Sequence, residues 1–291
     1  MTSKFFFLFL GAPRDLAVYQ NMKFAICNEV FGTSQTLDDW KTVCNFVASV
    51  GYDGIEIAPF TFAADVREIS PSQRTQVKAI AESCGLEICA LHWLLVSPPG
   101  LHINAINKTL RRETIDYLKA LIHFAGDLGA RKMIFGSPKA RFVEDDFEST
   151  WQRTRQSFDA VLPVLKEREI ILCLESLPAP ECDFIQTVAQ AEQMVNEINH
   201  LNFQLMLDAK SLSAEQNTPV ELIGIYGRNC AHFHANDANR RAPGFGATDF
   251  AAILQALRAR EYRDWVSIEP FDYFPDPRTL ARESLAYLRS C

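Results

Sequence analysis

The sequence predicts a single (β/α)8 barrel of the TIM type, and three observations lead to this fold class. Short apolar runs typical of buried strands alternate with longer segments of helical periodicity through most of the 291 residues. Eight such strand–helix pairs follow one another without a long break, which favours a closed parallel barrel over an open sheet. No GxGxxG or Walker motif marks a nucleotide-binding turn.

The first half of the chain supplies four of these pairs. The second helix is the best marked, because Ser70-Pro71 is a favoured cap followed by a favoured first-turn residue, and Gly85 ends the segment. The predicted strands are 24–27, 54–57, 86–91 and 132–135, and the predicted helices are 37–50, 71–84, 111–128 and 147–168.

The second half continues the alternation. Phe250, Ile253 and Leu257 fall at helical spacing, and Thr248 or Asp249 can cap their helix. The predicted strands are 170–175, 203–208, 230–234 and 265–269, and the predicted helices are 187–197, 219–226, 249–258 and 278–288.

The first 21 residues lie outside this pattern. Met22 starts MKFAICNEVF, the first strand-like run, so we expect residues 1–21 to be a poorly ordered N-terminal extension and residues 22–291 to be the barrel. The extension contains the apolar run FFFLFL, which is shorter than a usual export signal. No segment reaches transmembrane length, so we expect no membrane partner.

Composition narrows the class of protein further. The net charge of -7 argues against a nucleic-acid partner, because duplex binding needs a basic face that displaces counterions. The eight cysteines show no CxxC spacing, and most fall inside apolar strand or helix patterns, Cys230 among them. We therefore expect buried thiols in a cytoplasmic protein, without a disulfide framework or zinc knuckles.

Four consecutive predicted strands end in a residue that can bind a metal. These residues are Glu175, Asp208, His234 and Glu269. In a parallel barrel the carboxyl ends of the strands meet at one mouth, where active sites lie. Three carboxylates in such a cleft repel one another unless a cation holds them, and oxygen ligands with one imidazole suit Mn²⁺, Mg²⁺ or Co²⁺. The pattern predicts one divalent-metal site, although each residue alone is typical of a cap or a surface ion pair.

Side chains alternate between the two faces of a strand, and this alternation along the same four strands agrees with placing their last residues at the mouth. His232 lies one layer below His234 and is more typical of a core histidine than of a ligand. The residues predicted to point inward are Cys173, Met206, His232 and Ser267, and those predicted to face the helices are Leu174, Leu207, Phe233 and Ile268.

From Met22 to the end, the chain resembles the xylose isomerase-like barrels, specifically their sugar isomerase and ketose 3-epimerase group. The resemblance rests on LESLPAPECDFIQT, LDAKS, HFHANDANRRAPGFGATDF and SIEP, and the third motif is the most specific. It implies that Glu175, Asp208, His234 and Glu269 bind one divalent ion, with Mn²⁺ the first choice. It also implies that Glu175 and Glu269 are the catalytic acid–base pair.

The resemblance further implies a set of substrate contacts. Glu181 and Arg240 match residues that hold substrate hydroxyls, and we add His92 from the loop after the third strand as a candidate. One position departs from the family, because Ser211 stands where the tagatose and psicose 3-epimerases carry a histidine. Its neighbour Lys210 is either a new substrate contact or a solvated charge, and we favour the solvated charge.

The expected function is that of a metal-dependent sugar isomerase or ketose 3-epimerase. It would act on a ketose or related keto-polyol by abstracting a proton next to the carbonyl, through a metal-bound enediolate. A same-fold lyase of the inosose dehydratase type and a non-catalytic sugar-binding barrel stay open as alternatives. Six histidines in an acidic chain disfavour the apurinic-endonuclease relatives. The expected partner is a small sugar or keto-polyol, a homo-oligomer is compatible with the sequence, and the identity of the sugar stays open.

Overall fold

A computed structural model describes residues 22–291, which form a closed barrel of eight parallel strands. The strands pair in chain order, and β1 closes the barrel against β8. Their bounds, from β1 to β8, are Lys23–Cys27, Gly54–Ile57, Glu87–Leu91, Lys132–Phe135, Ile171–Leu174, Phe203–Asp208, Cys230–Ala235 and Trp265–Ile268. The predicted fold class is confirmed. The predicted extension of residues 1–21 lies outside the described residues.

The helices surround the barrel and follow the predicted segments within a few residues at their ends. Two of them, α5 and α7, are short. From α1 to α10 the bounds are Leu37–Val50, Pro71–Ser83, Lys108–Leu128, Phe147–Asp159, Leu162–Glu167, Val188–Ile198, Ala209–Ser213, Pro219–Tyr226, Phe250–Ala259 and Pro277–Ser290.

One predicted helix is wrong. Residues 147–168 were expected to form a single helix, but the chain breaks between Asp159 and Leu162 into α4 and α5. Pro163 lies in the first turn of α5. A proline has no N–H to donate to the preceding turn, so it is tolerated at a helix start and interrupts a continuous helix.

Local sequence explains where the helices around the site begin. The Ser70 hydroxyl accepts a hydrogen bond from the backbone N–H of Gln73, with Pro71 in the first turn of α2. Of the two candidate caps of α9, Asp249 is the one used, and its carboxylate accepts from the N–H of Ala252. The hydroxyl of Thr248 accepts instead from the N–H of Ala238 and thereby closes the loop after β7.

Alternation of side chains separates the barrel interior from the layer between strands and helices, as predicted. His232 and Ser267 point inward and are fully buried, in contact with Glu56 and Cys27 respectively. The interior apolar cluster comprises Ala25, Cys89, Ala90, Ile134, Cys173, Met206, Ala231 and Trp265. The outer core contains the residues predicted to face the helices, Leu174, Leu207, Phe233 and Ile268.

The cysteines and the membrane expectation can be checked within the described residues. All eight cysteines lie between residues 22 and 291 and are free thiols. Five are buried, but Cys84, Cys230 and Cys291 are partly exposed, so the predicted burial is wrong for these three. Cys230 begins β7 at the amino end of the barrel, and Cys291 follows the last helix. Among residues 22–291, no helix is both long and apolar enough to cross a membrane.

Close packing at the start of β2 generates a stability prediction. A Cβ atom at Gly54 would lie 2.6 Å from the carbonyl oxygen of Glu87 and 2.7 Å from the Trp265 ring. Gly54→Ala should therefore destabilise the fold by about 1–3 kcal/mol, measured as a lower thermal midpoint. Gly224→Ala is the matched control. Its Cβ would meet only Arg260 at 3.9 Å inside α8, so it should leave the midpoint unchanged or raise it. Equal midpoints for Gly54→Ala and wild type would contradict the packing.

Candidate metal centre

The structure brings the four predicted strand-end residues together. One ligand atom from each of Glu175, Asp208, His234 and Glu269 lies within 4.8 Å of the others, and all four side chains are buried. Their strands β5 to β8 are consecutive around the barrel, so the group occupies one half of the mouth. This is the arrangement that the strand-end pattern predicts.

The electrostatics of this group are those of crowded acids. Burial raises the pKa of the Glu175 carboxyl above its ordinary value, and the nearby carboxylates of Asp208 and Glu269 raise it further. Burial alone would lower the pKa of His234, but Glu269 and Glu56 outweigh it and raise that pKa well above its usual value. A divalent cation among these groups would relieve the repulsion between the carboxylates.

A glycine makes room for Glu175. A Cβ atom at Gly136, directly after β4, would lie 2.0 Å from Oε2 of Glu175, which is far closer than two non-bonded atoms can approach. The loop after β4 therefore packs its backbone against the acid, and any larger residue there would push the carboxylate away from its partners.

Asp208 is oriented by hydrogen bonds from both sides. Its Oδ1 accepts from the backbone N–H of Ser211 at 2.7 Å, which makes Asp208 the cap of α7. Its Oδ2 accepts from the side-chain amide of Asn236 at 2.8 Å, and the Asn236 oxygen accepts from the N–H of Lys210 at 3.1 Å. These contacts fix the carboxylate before any ligand binds, because its rotation would break both hydrogen bonds.

Glu56 on β2 orients the histidine, and sequence reasoning missed this residue. Nε2 of His234 lies 3.0 Å from Oε1 of Glu56, while Nδ1 lies 3.0 Å from Oε2 of Glu269. Nε2 of His232 lies 2.9 Å from the other oxygen of Glu56. If Nε2–H of His234 donates to Glu56, the Nδ1 lone pair is left to face the three carboxylates, the tautomer that a metal ligand needs.

A signal for Glu56 was present in the sequence. The residue lies between Ile55 and Ile57 in DGIEIAPF, so alternation places a charged side chain on the face opposite two apolar ones. Glu56 is fully buried, and burial would raise its pKa, but His232 and His234 outweigh burial and hold that pKa well below its ordinary value. A charge on the inner face of a barrel strand requires a partner, and two histidines supply it.

His92, predicted to contact substrate, lies at the end of β3 and is 1% exposed. Its Nε2 is 3.0 Å from Glu29 and its Nδ1 is 3.6 Å from Glu56. Burial would lower the pKa of His92, but these carboxylates raise it to about 9. Both ring nitrogens therefore face acids, and a direct substrate contact stays a prediction.

Glu181 and Arg240, both predicted to contact substrate, lie together at the mouth. Lys210 lies with them, so its interpretation as a solvated charge is wrong. Lys210 is buried, with Nζ 2.7 and 2.8 Å from the two oxygens of Glu181. Arg240 Nη1 is 3.5 Å from the same carboxylate. Burial would lower the pKa of Lys210, but Asp208 and Glu181 raise it, so the lysine is charged. The ion pair accounts for a buried ammonium in this position.

The loop after β7 is built around Asp237. The Asp237 carboxylate accepts from the N–H of Thr248 at 3.1 Å, and a Cβ at Gly246 would lie 2.1 Å from its atoms. Arg240 adopts a left-handed backbone with φ of 73°, and its carbonyl accepts from the N–H of Phe271 at 2.8 Å. The loop thus places the Arg240 guanidinium 4.9 Å from the Phe271 ring centroid.

Two smaller groups of possible metal ligands adjoin the group of four, and both include Cys27. One joins Cys27 with Glu29 and His92, and the other joins it with Glu56 and His234. Burial raises the pKa of the Cys27 thiol well above its ordinary value, and the neighbouring acids raise it further. Because the thiolate is the ligand form, the four-residue group offers the better donors for a divalent ion.

The fold and the site define a parallel barrel whose polar residues converge at the carboxyl ends of the strands. A family model described as xylose isomerase-like TIM barrel matches residues 44–291, and the chain belongs to this family.

Two curated relatives are ketose epimerases. The chain is 25% identical over 257 residues to a probable ketose 3-epimerase of Synechocystis sp., covering 82% of this chain and 86% of that protein. It is 27% identical over 245 residues to a D-psicose 3-epimerase of Ruminiclostridium cellulolyticum, covering 80% and 78%. A solved D-psicose 3-epimerase in the presence of D-fructose matches with a TM-score of 0.82 at 20% identity, covering 92% of this chain and 99% of that one.

The donor set fits a single divalent ion. Three carboxylates and one imidazole suit Mn²⁺, Mg²⁺ or Co²⁺. His234 and Asp208 are also oriented by hydrogen bonds from neighbouring side chains, as metal ligands usually are. Glu56 is not one of these four residues and would position His234 through its hydrogen bond to Nε2.

This arrangement predicts that Glu56→Gln weakens metal binding. The amide leaves an NH₂ group facing one of the two histidines, so the orientation of His234 is no longer enforced. Mn²⁺ affinity, measured by competition with a chelator, should fall by about 10- to 100-fold. Glu29→Gln, which removes a carboxylate from His92 instead, should change it much less. Equal affinities for Glu56→Gln and wild type would remove Glu56 from this role.

Proposed function

We propose that the protein is a divalent-metal-dependent ketose epimerase that moves a proton on the carbon next to a carbonyl. The observation that carries the proposal is the convergence of Glu175, Asp208, His234 and Glu269 in one buried group. Membership of the xylose isomerase-like family and similarity to ketose 3-epimerases support it.

A bound divalent ion would supply Lewis acidity that polarises the substrate carbonyl. Glu175 and Glu269 are the proposed proton carriers. One of these carboxylates takes the proton from the carbon beside the carbonyl, and the C–H electron pair passes into an enediolate. The other returns a proton to the opposite face of the same carbon, so that its configuration inverts. A single carboxylate on one face could only restore the original configuration.

The remaining residues of the mouth would hold the substrate. Arg240 and Glu181, which lie 3.5 Å apart, would contact hydroxyl and carbonyl oxygens, and the arginine would balance the charge of the enediolate. The aromatic rings of Trp93 and Phe271, with centroids 6.2 Å apart, would line the apolar face of a sugar. This wall would help to exclude water from the intermediate.

The same first step could serve other outcomes. Return of the proton to the neighbouring carbon would give an aldose–ketose isomerase, and loss of a hydroxyl from the enediolate would give a dehydratase. Two proposed proton carriers in one group favour epimerisation. Separation of products from metal-loaded protein and a panel of ketoses distinguishes the three reactions.

The proton-transfer step predicts incorporation of solvent deuterium. Run in D₂O, the reaction should place deuterium on the carbon that changes configuration, because a carboxylic acid exchanges its proton with solvent before returning it. Glu269→Gln should abolish turnover and exchange, since Glu269 is both a proposed proton carrier and a proposed ligand of the ion that acidifies the carbon.

Glu283→Gln is the matched control, because Glu283 lies on an exposed position of α10. It should retain activity and deuterium incorporation. A product without deuterium after full conversion, together with no exchange in recovered substrate, would contradict proton transfer through solvent-exchanging carboxylates.

A further inference from the structure

Two cations share one carboxylate at the mouth. Lys210 Nζ lies 2.7 and 2.8 Å from the oxygens of Glu181, and Arg240 Nη1 lies 3.5 Å from one of them. Both cations also lie over the ring of Phe271, at 5.2 and 4.9 Å from its centroid. We call these four residues the cation wall. With two positive charges and one negative charge, the wall itself carries a surplus of one positive charge. The nearby carboxylates of Asp208 and Glu175 belong to the candidate metal centre, where a divalent ion would offset them.

Several hydrogen-bond donors lie in or beside the cation wall. Lys210 has three N–H groups, of which Glu181 occupies two. Trp93, whose ring lies 6.2 Å from Phe271, has a buried Nε1–H with no hydrogen-bond partner among the described residues. The buried hydroxyl of Ser211 is also without one there. Donors and surplus positive charge together complement an anionic group that accepts several hydrogen bonds.

The cation wall is fixed to the candidate metal centre. The side chain of Asn236 donates to Asp208 and accepts from the backbone N–H of Lys210, so it joins the lysine to the proposed ligand. Lys210 follows Asp208 by two residues at the start of α7. The Lys210 ammonium also interacts electrostatically with the carboxylates of Asp208 and Glu175. An anion held by Lys210 would therefore lie on the side of the mouth that carries these proposed ligands.

We propose that the substrate is an acidic ketose, with a carboxylate or phosphate attached beside the carbonyl, and that Lys210 selects it through this anion. This inference rests on the proposed epimerase function and names its substrate class. Lys210 recognises the anion as a charged hydrogen-bond donor, Arg240 adds a second positive charge, and Glu181 keeps both cations in place.

Three matched 2-ketoses test the inference. D-Fructose, D-fructose 1-phosphate and 2-keto-D-gluconate share a carbonyl at C2 and a hydroxyl at C3, and they carry a neutral hydroxymethyl, a phosphate ester and a carboxylate at the C1 end. Metal-loaded protein should epimerise at least one acidic ketose with a kcat/KM about tenfold or more above that of D-fructose. The better of the two acids identifies the anion as phosphate or carboxylate.

Variants distinguish a specific role of Lys210 from a general effect of positive charge on the protein. Lys210→Met should lower kcat/KM for the preferred acid about tenfold or more and change D-fructose turnover much less, whereas Lys210→Arg should retain part of the preference. Lys139→Met removes a lysine from an exposed position after β4 and should leave the preference unchanged. Equal turnover of acidic and neutral ketoses by wild type, or an equal loss on all three with Lys210→Met, would overturn the inference.

A binding measurement keeps the two proposals distinguishable. If the metal-loaded protein epimerises none of the three ketoses, the proposed function fails for these substrates. The thermal midpoint in the presence of each ketose then tests the inference alone. A midpoint raised only by an acidic ketose, and not in Lys210→Met, supports anion recognition. Equal midpoints with acidic and neutral ketoses overturn it.

Discussion

Repulsion among three buried carboxylates is the constraint on which the site depends. The barrel brings Glu175, Asp208 and Glu269 to one mouth, where burial and mutual repulsion raise the pKa of Glu175. Such a group costs folding free energy unless positive charge is supplied. Without an ion, a proton on His234 supplies part of it, because the neighbouring acids raise the pKa of this ring, and a bound divalent ion would take the place of that proton. The apolar core and the closed strand pairing of the barrel hold the acids close enough for that ion to be shared.

Beneath the mouth, a second layer of charges supports the first. Glu56 contacts His232 and His234 across the barrel interior, and His92 links Glu56 to Glu29. The network therefore joins residues from β2 and β7 with residues that follow β1 and β3. The proposed ligands come from half of the strands, but the groups that orient them come from the other half as well. This explains why a barrel with fixed register suits the site, since no single loop could hold both layers.

Much of the fold and of the site could be predicted because the relevant patterns are local. Strands of four to six residues and capped helices are readable from periodicity, and residues at strand ends must share a mouth once the strands are parallel. Glu56 could not be assigned a role, because its partner His232 is 176 residues away and lies opposite it only in the closed barrel. Lys210 was misread for the same reason, since Glu181 belongs to a different loop. The break at Pro163 differs, because its signal is local and was available in the sequence.

The central claim is that Glu175, Asp208, His234 and Glu269 together hold one divalent ion, and metal stoichiometry tests it most directly. Elemental analysis of protein saturated with Mn²⁺ and freed of excess metal should give one ion per chain. Asp208→Asn and His234→Ala should each lose most of it, because removal of one ligand leaves the remaining set incomplete. Thermal midpoints of the variants establish that they are folded. Equal metal content in wild type and both folded variants would contradict the assignment.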